Sequence, residues 1–289
     1  MHGRLHSFRA RALLACVPAV GLVVMATAGT ASASHAPVNR SAAVRAELEH
    51  LLRSFHPTNE GLGSVGLKKL ASGNWSGYVD TSTKAGTYTS LAGSWTEPKI
   101  TGCKASTFSA AVFWVGIDGI SSSDPTVEQD GTIAICPGSG STTPEYGTWW
   151  EMYPSNDVQI VGGTVKPGDK ITGSVVRSGT KYTLKVTDST TAGNSFTTKQ
   201  TCAASTCKNE SAEWIAERPG LSTGLSTLPN FGTWTASGAT VKGGGKSGTI
   251  KSFPDDEVTM ENSSAKVLAQ PGALNSAGNS FKDVWKASS

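Results

Sequence analysis

The sequence predicts an all-β fold, a two-sheet sandwich, and three observations predict it. KYTLKVT (181–187) alternates Tyr182, Leu184 and Val186 with polar neighbours, the period-two mark of a strand with one buried face. Ser178 and Gly179 join it to KITGSVV (170–176) as a hairpin. AAVFWVGI (110–117) is continuously apolar, as a strand buried on both faces is. The one amphipathic helical pattern in the 289 residues lies before residue 56, and Gly, Ser and Thr fill the gaps beyond it.

From the N-terminus, Arg4, Arg9 and Arg11 precede an apolar run over 12–28 and the small residues Ala31, Ser32 and Ala33. A basic head, an apolar middle and a small-residue exit predict a secretory signal peptide over 1–33, so the mature protein is expected outside the cell. The competing reading is a membrane anchor, since about 17 apolar residues is the lower limit for spanning. Cys16 opens the apolar run instead of closing it, which argues against lipidation.

In SAAVRAELEHLLRSF, Val44, Leu48, Leu51, Leu52 and Phe55 recur at helical spacing, with Ser41 placed as the cap. This helix and the Gly-rich stretch ending in Lys68 and Lys69 predict a propeptide over 34–70, cleavable at its end. Residues 71–289 are then the β domain. Further strands are expected near 74–80, 88–97, 146–153, 211–217, 231–241 and 281–286. About 219 residues of short strands suffice for one sandwich with one core, burying about 70% of the unfolded surface.

Cys103, Cys136, Cys202 and Cys207 remain after signal removal. Four cysteines in an exported chain predict two disulfides with three possible connectivities. The short loop favours Cys202 with Cys207, leaving Cys103 with Cys136. A metal site is the competitor, but no histidine is at hand to complete it, and CAASTC fits zinc spacing loosely; no metal or cofactor is expected. Asn74, Asn209 and Asn262 stand in glycosylation sequons.

The formal charge of +3 belongs to the N-terminal segments. From residue 71 onward 17 Lys+Arg face 19 Asp+Glu, so the domain is near neutral and carries no electrostatic footprint for nucleic acid or anionic lipid. A monomer acting on protein or peptide substrates is expected, with no membrane attachment once the signal is gone.

All five histidines fall within the first 56 residues. The β domain therefore cannot run a Ser-His-Asp, Cys-His or two-histidine zinc mechanism. Proton transfer there falls to carboxylates, an amide or a lysine, and Gln129 in TVEQDG and Glu213 in SAEWIAERP stand out. Strand alternation puts Glu213, Ile215 and Glu217 on one face and Ala212, Trp214 and Ala216 on the other. Likewise Trp114 shares a face with Gly116 and Asp118, and Trp149 with Glu151 and Tyr153. Acids beside tryptophans on several strands can line a groove that binds a polymer. An ordinary solvated sheet face is the bland alternative.

NWSGYV (74–79), GSWTEP (93–98), FWVGIDG (113–119), VEQDG (127–131), WWEMYP (149–154) and SAEWIAERP (211–219) occur in that order. VLAQPGAL (267–274) and FKDVW (281–285) follow. The ordered set resembles the landmarks of the glutamic peptidases, also called eqolisins or peptidase family G1, in a secreted member of bacterial type. That resemblance implies a concanavalin-like double-sheet β sandwich of jelly-roll type, made with a propeptide that inhibits it, and acid endopeptidase activity without a metal. It puts Gln129 at the catalytic glutamine and Glu213 at the catalytic glutamate. Trp75, Trp114, Asp118 and Glu151 fall where that family lines its substrate groove.

The chemistry agrees with the resemblance. Peptide hydrolysis needs an activated water, a stabilised oxyanion and a proton for the leaving nitrogen. A glutamate can move the proton both ways, and a glutamine offers an uncharged N–H to the oxyanion. Asp130, directly after Gln129, departs from the small polar residue usual there. On a strand it would face away from Gln129; in a turn it could approach the groove. Two other functions fit the same pattern: a glycoside hydrolase using Glu151 with Glu213, whose carboxyls would stand about 5 to 9 Å apart, and a lectin-like module using the tryptophans alone. Paired-aspartate chemistry lacks its repeated Asp-Thr-Gly or Asp-Ser-Gly pattern.

Overall fold

Short apolar and alternating runs separated by Gly, Ser, Thr and Pro give strands throughout the computed structural model, which describes residues 69–120, 126–203, 205–221 and 223–289. The expected signal peptide, the helix over 41–55 and all but the end of the 34–70 segment lie outside the described residues. The strands are β1 (Lys69–Ser72), β2 (Trp75–Thr81), β3 (Tyr88–Thr96), β4 (Ser109–Ile117), β5 (Val127–Cys136) and β6 (Glu145–Tyr153). They continue with β7 (Gln159–Gly162), β8 (Lys170–Ser178), β9 (Lys181–Asp188), β10 (Phe196–Thr201), β11 (Ser211–Glu217) and the short β12 (Gly220–Leu221) and β13 (Gly224–Leu225). The last are β14 (Thr233–Gly243), β15 (Lys246–Gly248), β16 (Asp255–Glu261), β17 (Val267–Pro271) and β18 (Phe281–Trp285). The helices among the described residues are two 3₁₀ turns, Ala192–Asn194 and Ile250–Ser252.

One continuous sheet runs β10-β9-β8-β3-β14-β18-β17-β16-β2-β11-β4-β5-β6-β7, with β1 added on β16 and β15 on β14. The β1–β16 pair is parallel and the other strand pairs are antiparallel. The sheet doubles back, so that β3, β8, β9 and β14 pack against β2, β11, β4 and β5 as the two layers of a sandwich. Alternation decides which side chains fill it. Tyr78, Phe113, Val115, Ala134 and Trp214 point between the layers and meet Leu91, Trp95, Val175, Leu184 and Trp234.

The opposite face of the β2-β11-β4-β5-β6 layer is not a solvated exterior. Trp75, Val79, Val112, Trp114, Ile133, Trp149 and Ile215 form a second buried apolar cluster there. One core was expected, and the structure adds this second one, on which the candidate site is built.

The expected strands are present, and the hairpin forms as β8–β9. Disulfides join Cys103 to Cys136 and Cys202 to Cys207. Of the three sequons beyond residue 70, Asn74 and Asn209 are buried and hydrogen-bonded, which leaves Asn262 as the one of these three that a glycan could reach.

Candidate active site

Glu213 comes from β11 and Gln129 from β5, with β4 between them. Pairing sets Glu213 opposite Gly116, and Gly116 opposite Gln129, so the row across the layer reads Val79, Glu213, Gly116, Gln129, Glu151. Side chains in one antiparallel row share a face. Both candidate residues therefore rise on the same side, over a position that has no side chain. The next row reads Gly77, Ile215, Trp114, Gly131, Trp149, and the one after it Trp75, Glu217, Val112, Ile133, Gly147.

Two glycines make this arrangement possible through close approach. A Cβ on Gly116 would come within 2.8 Å of the Trp114 ring and 3.2 Å of the Gln129 Cβ. A Cβ on Gly131 would meet the Phe113 carbonyl oxygen at 2.1 Å and Trp114 Cα at 2.8 Å. Gly116 thus leaves between Glu213 and Gln129 a gap that the edge of the Trp114 ring reaches, and Gly131 gives Trp114 its seat.

The polar groups here are deeply buried, Glu213 at 0% exposure and Gln129 and Glu151 at 1%. Gln129 Nε2 donates to Glu151 Oε2 at 2.9 Å. A carboxamide has two N–H groups, so one remains, and Gln129 Oε1 has no hydrogen-bond partner among the described residues. Burial first, and the Glu217 charge second, raise the Glu151 carboxyl well above the ordinary range, against the opposing bond from Gln129. Glu217 is pushed up to about 8 by burial, although N–H donors from Trp114 and Asn74 work the other way. Both acids are thus neutral in acid solution, and the face carries less negative charge than its composition suggests.

Trp75 and Trp114 stand edge to face, ring centroids 5.0 Å apart, on the same side as Glu213. Glu151 joins them through its row. Asp118 stands apart from the others. Strand β4 ends at Ile117, Asp118 adopts a left-handed φ of 72°, and its two oxygens accept the backbone N–H groups of Asn209 and Glu210 at 2.7 Å each. It brackets the chain just before β11.

Asp130 lies on a strand and faces between the layers. Its Oδ2 accepts the Lys185 N–H at 2.7 Å, and burial raises its pKa well above the usual carboxylate range. Glu128 points the same way, beside Tyr182 and the Cys202–Cys207 pair. Neither enters the gap over Gly116. The Glu151–Glu213 pair of a glycosidase is separated by three strand spacings, about 14 Å between backbones, with Gln129 between them. Sequence reasoning left Asn74 and Glu217 without a role, although both lie inside motifs it had singled out.

The family model described as the Peptidase A4 family matches residues 73–278. No curated protein sequence matches. Among solved structures, scytalido-glutamic peptidase with a transition state analog inhibitor superposes with a TM-score of 0.59 at 18% identity, covering 74% of this chain and 99% of that one. SCP-B, a member of the eqolisin family in complex with the tripeptide Ala-Ile-His, gives 0.56 at 18% over the same shares. Aspergilloglutamic peptidase from Aspergillus niger gives 0.52 at 24%, covering 61% of this chain and 99% of that one. These likenesses carry the β-sandwich fold.

Proposed function

Because the chain belongs to the Peptidase A4 family and is a glutamic-type endopeptidase, we propose that Glu213 and Gln129 carry its peptide hydrolysis. Glu213, as carboxylate, takes a proton from the attacking water and passes it to the leaving nitrogen. Gln129 donates an N–H to the oxyanion, and its Oε1 helps to hold the water. The observation that carries this reading is the register that sets both residues beside Gly116 on one face. Glu151, by occupying one N–H of Gln129, orients the carboxamide. Trp75 and Trp114, both buried, pack on the same face as Glu213 and back the site.

The reading extends to a secreted, acid-active monomer made with a signal peptide over 1–33 and an inhibitory propeptide over 34–70. A glutamate base has a reference pKa of about 4.3, matched to mildly acidic conditions. Arg40, Arg45, Arg53, Lys68 and Lys69 of the propeptide would pair with those groove acids that have ionised near neutrality and release them in acid.

Incubation of the enzyme with a denatured protein at pH 4 tests the chemistry. Internal fragments are expected, in amounts unaffected by a chelator or by inhibitors aimed at paired aspartates. Sensitivity to either would contradict the assignment. The 34–70 peptide added in trans should inhibit more strongly at pH 7 than at pH 4, and the reverse order would remove the latch.

A further inference from the structure

Glu217 lies on the Glu213 face of β11 but four residues further along, about 13 Å at the rise of a strand. At that distance it does not touch the reacting groups. It is nevertheless held with care. Ser72 Oγ donates to Asn74 Oδ1 at 3.0 Å, which turns the other end of the amide toward Glu217. Asn74 Nδ2 then donates to Glu217 Oε1 at 3.0 Å, and Trp114 Nε1 donates to Glu217 Oε2 at 2.9 Å. Asn74 is 1% exposed, Trp114 0% and Glu217 3%.

The indole N–H is a donor only, so an acceptor on that side fixes which way the ring lies. With Nε1 tied to Glu217, the far edge of the ring, Cζ3 and Cε3, abuts Gly116 at 2.8 and 3.2 Å from where a Cβ would stand. That edge walls the gap between Glu213 and Gln129. We propose that Glu217 is a positioning residue, which holds the Trp114 ring edge against Gly116 and so sets the width of the gap in which Glu213 and Gln129 act.

The inference rests on the functional reading given above. A carboxyl keeps acceptor lone pairs on both oxygens even when protonated, whereas the amide nitrogen of glutamine accepts from neither donor, so Glu217→Gln must leave either Trp114 or Asn74 without its bond. The test is kcat and KM for one peptide substrate at pH 4, with Tm, for Glu217→Gln, Trp114→Phe and the double variant. Glu217→Gln is expected to lower kcat about tenfold or more with KM within about twofold, in a chain that still unfolds cooperatively. In the Trp114→Phe background the same change should cost less than about twofold, because the ring it acts through is altered. Wild-type kcat, a rise confined to KM, or a full additional loss in the Trp114→Phe background would each overturn the inference. Should Glu217→Gln not fold, Asn74→Ala, which leaves Glu217 and Trp114 in the chain, carries the test. A several-fold fall in kcat is then expected, and wild-type kcat would overturn the proposal. Gln129→Ala and Glu213→Gln in the same assay separate the two failures. Activity surviving there removes the functional reading, whereas its loss there beside an unaffected Glu217→Gln removes only the role of Glu217.

Discussion

Glu213 and Gln129 flank the same residue, Gly116, from the two neighbouring strands. Their backbones are two strand spacings apart, about 10 Å, and both are long enough to lean toward the glycine between them. Placement of an acid and an amide 84 positions apart in the chain in one row of one face thus follows from antiparallel register on either side of Gly116.

Filling that gap is the simplest perturbation. Gly116→Ala places a methyl 2.8 Å from the Trp114 ring and 3.2 Å from Gln129 Cβ. Relief of such overpacking typically costs about 1 to 3 kcal/mol. A modest fall in Tm is expected, with a fall in kcat of about 100-fold, since small displacements of reacting groups are costly. Steady-state kinetics and thermal unfolding on one preparation check both, and unchanged kcat would show that the gap is not where catalysis occurs.

Asp118 should matter through the backbone. Its carboxylate takes the N–H groups of Asn209 and Glu210, four and three residues before Glu213. Hydrogen bonds to a charged group contribute about 1.5 to 3 kcal/mol each. Asp118→Ala is therefore expected to destabilise by about 3 kcal/mol or more and to lower kcat by loosening the entry to β11. Chemical denaturation measures the first effect. A Tm and kcat equal to wild type would mean that the bracket is ornamental.

Stability should fall as pH rises. Asp80, Glu97 and Asp283 are buried, and burial pushes them up to about 9, about 8 and about 7. Nearby Asp255 and Asp256 push Asp80 further in the same direction. A carboxyl whose folded pKa is raised binds its proton more tightly in the native state. Its contribution is therefore complete below the unfolded value near 4 and is lost as pH climbs toward the folded values. Tm is expected to be higher at pH 4 than at pH 8, by on the order of 10 °C. A Tm that rises over this interval would contradict the burial of these acids in their charged form's least favourable setting.

Much of this was legible beforehand. The alternation in β9, the apolar run of β4 and the spacing of AEWIAE gave strands and faces, because a period of two is visible wherever one face is apolar. Strand β5 was harder to read. Its inner face carries Glu128, Asp130 and Thr132, polar residues where a core face should be apolar, and Asp130 with Gly131 looks like a turn. Strands β10 and β16, FTTKQT and DDEVTME, hide for a similar reason. The second apolar cluster could not be seen, since which face of a two-sided strand meets water depends on the rest of the fold. The bracket formed by Asp118 was hidden as well, because a left-handed φ at a non-glycine residue breaks alternation without a sequence signal. Glu217 was visible on the correct face, but its tie to Trp114 depends on the cross-strand offset between β11 and β4.

The most direct test is the turnover of Glu213→Gln and Gln129→Ala, measured on a denatured protein at pH 4 in chains whose Tm matches wild type. Removing one oxyanion donor costs about 3 to 4 kcal/mol, or about 100- to 1000-fold in kcat, and removing the proton carrier should cost at least as much. Both variants are expected to fold normally and to fall by that factor or more. Turnover within about tenfold of wild type in either one would contradict the assignment of hydrolysis to this acid and this amide.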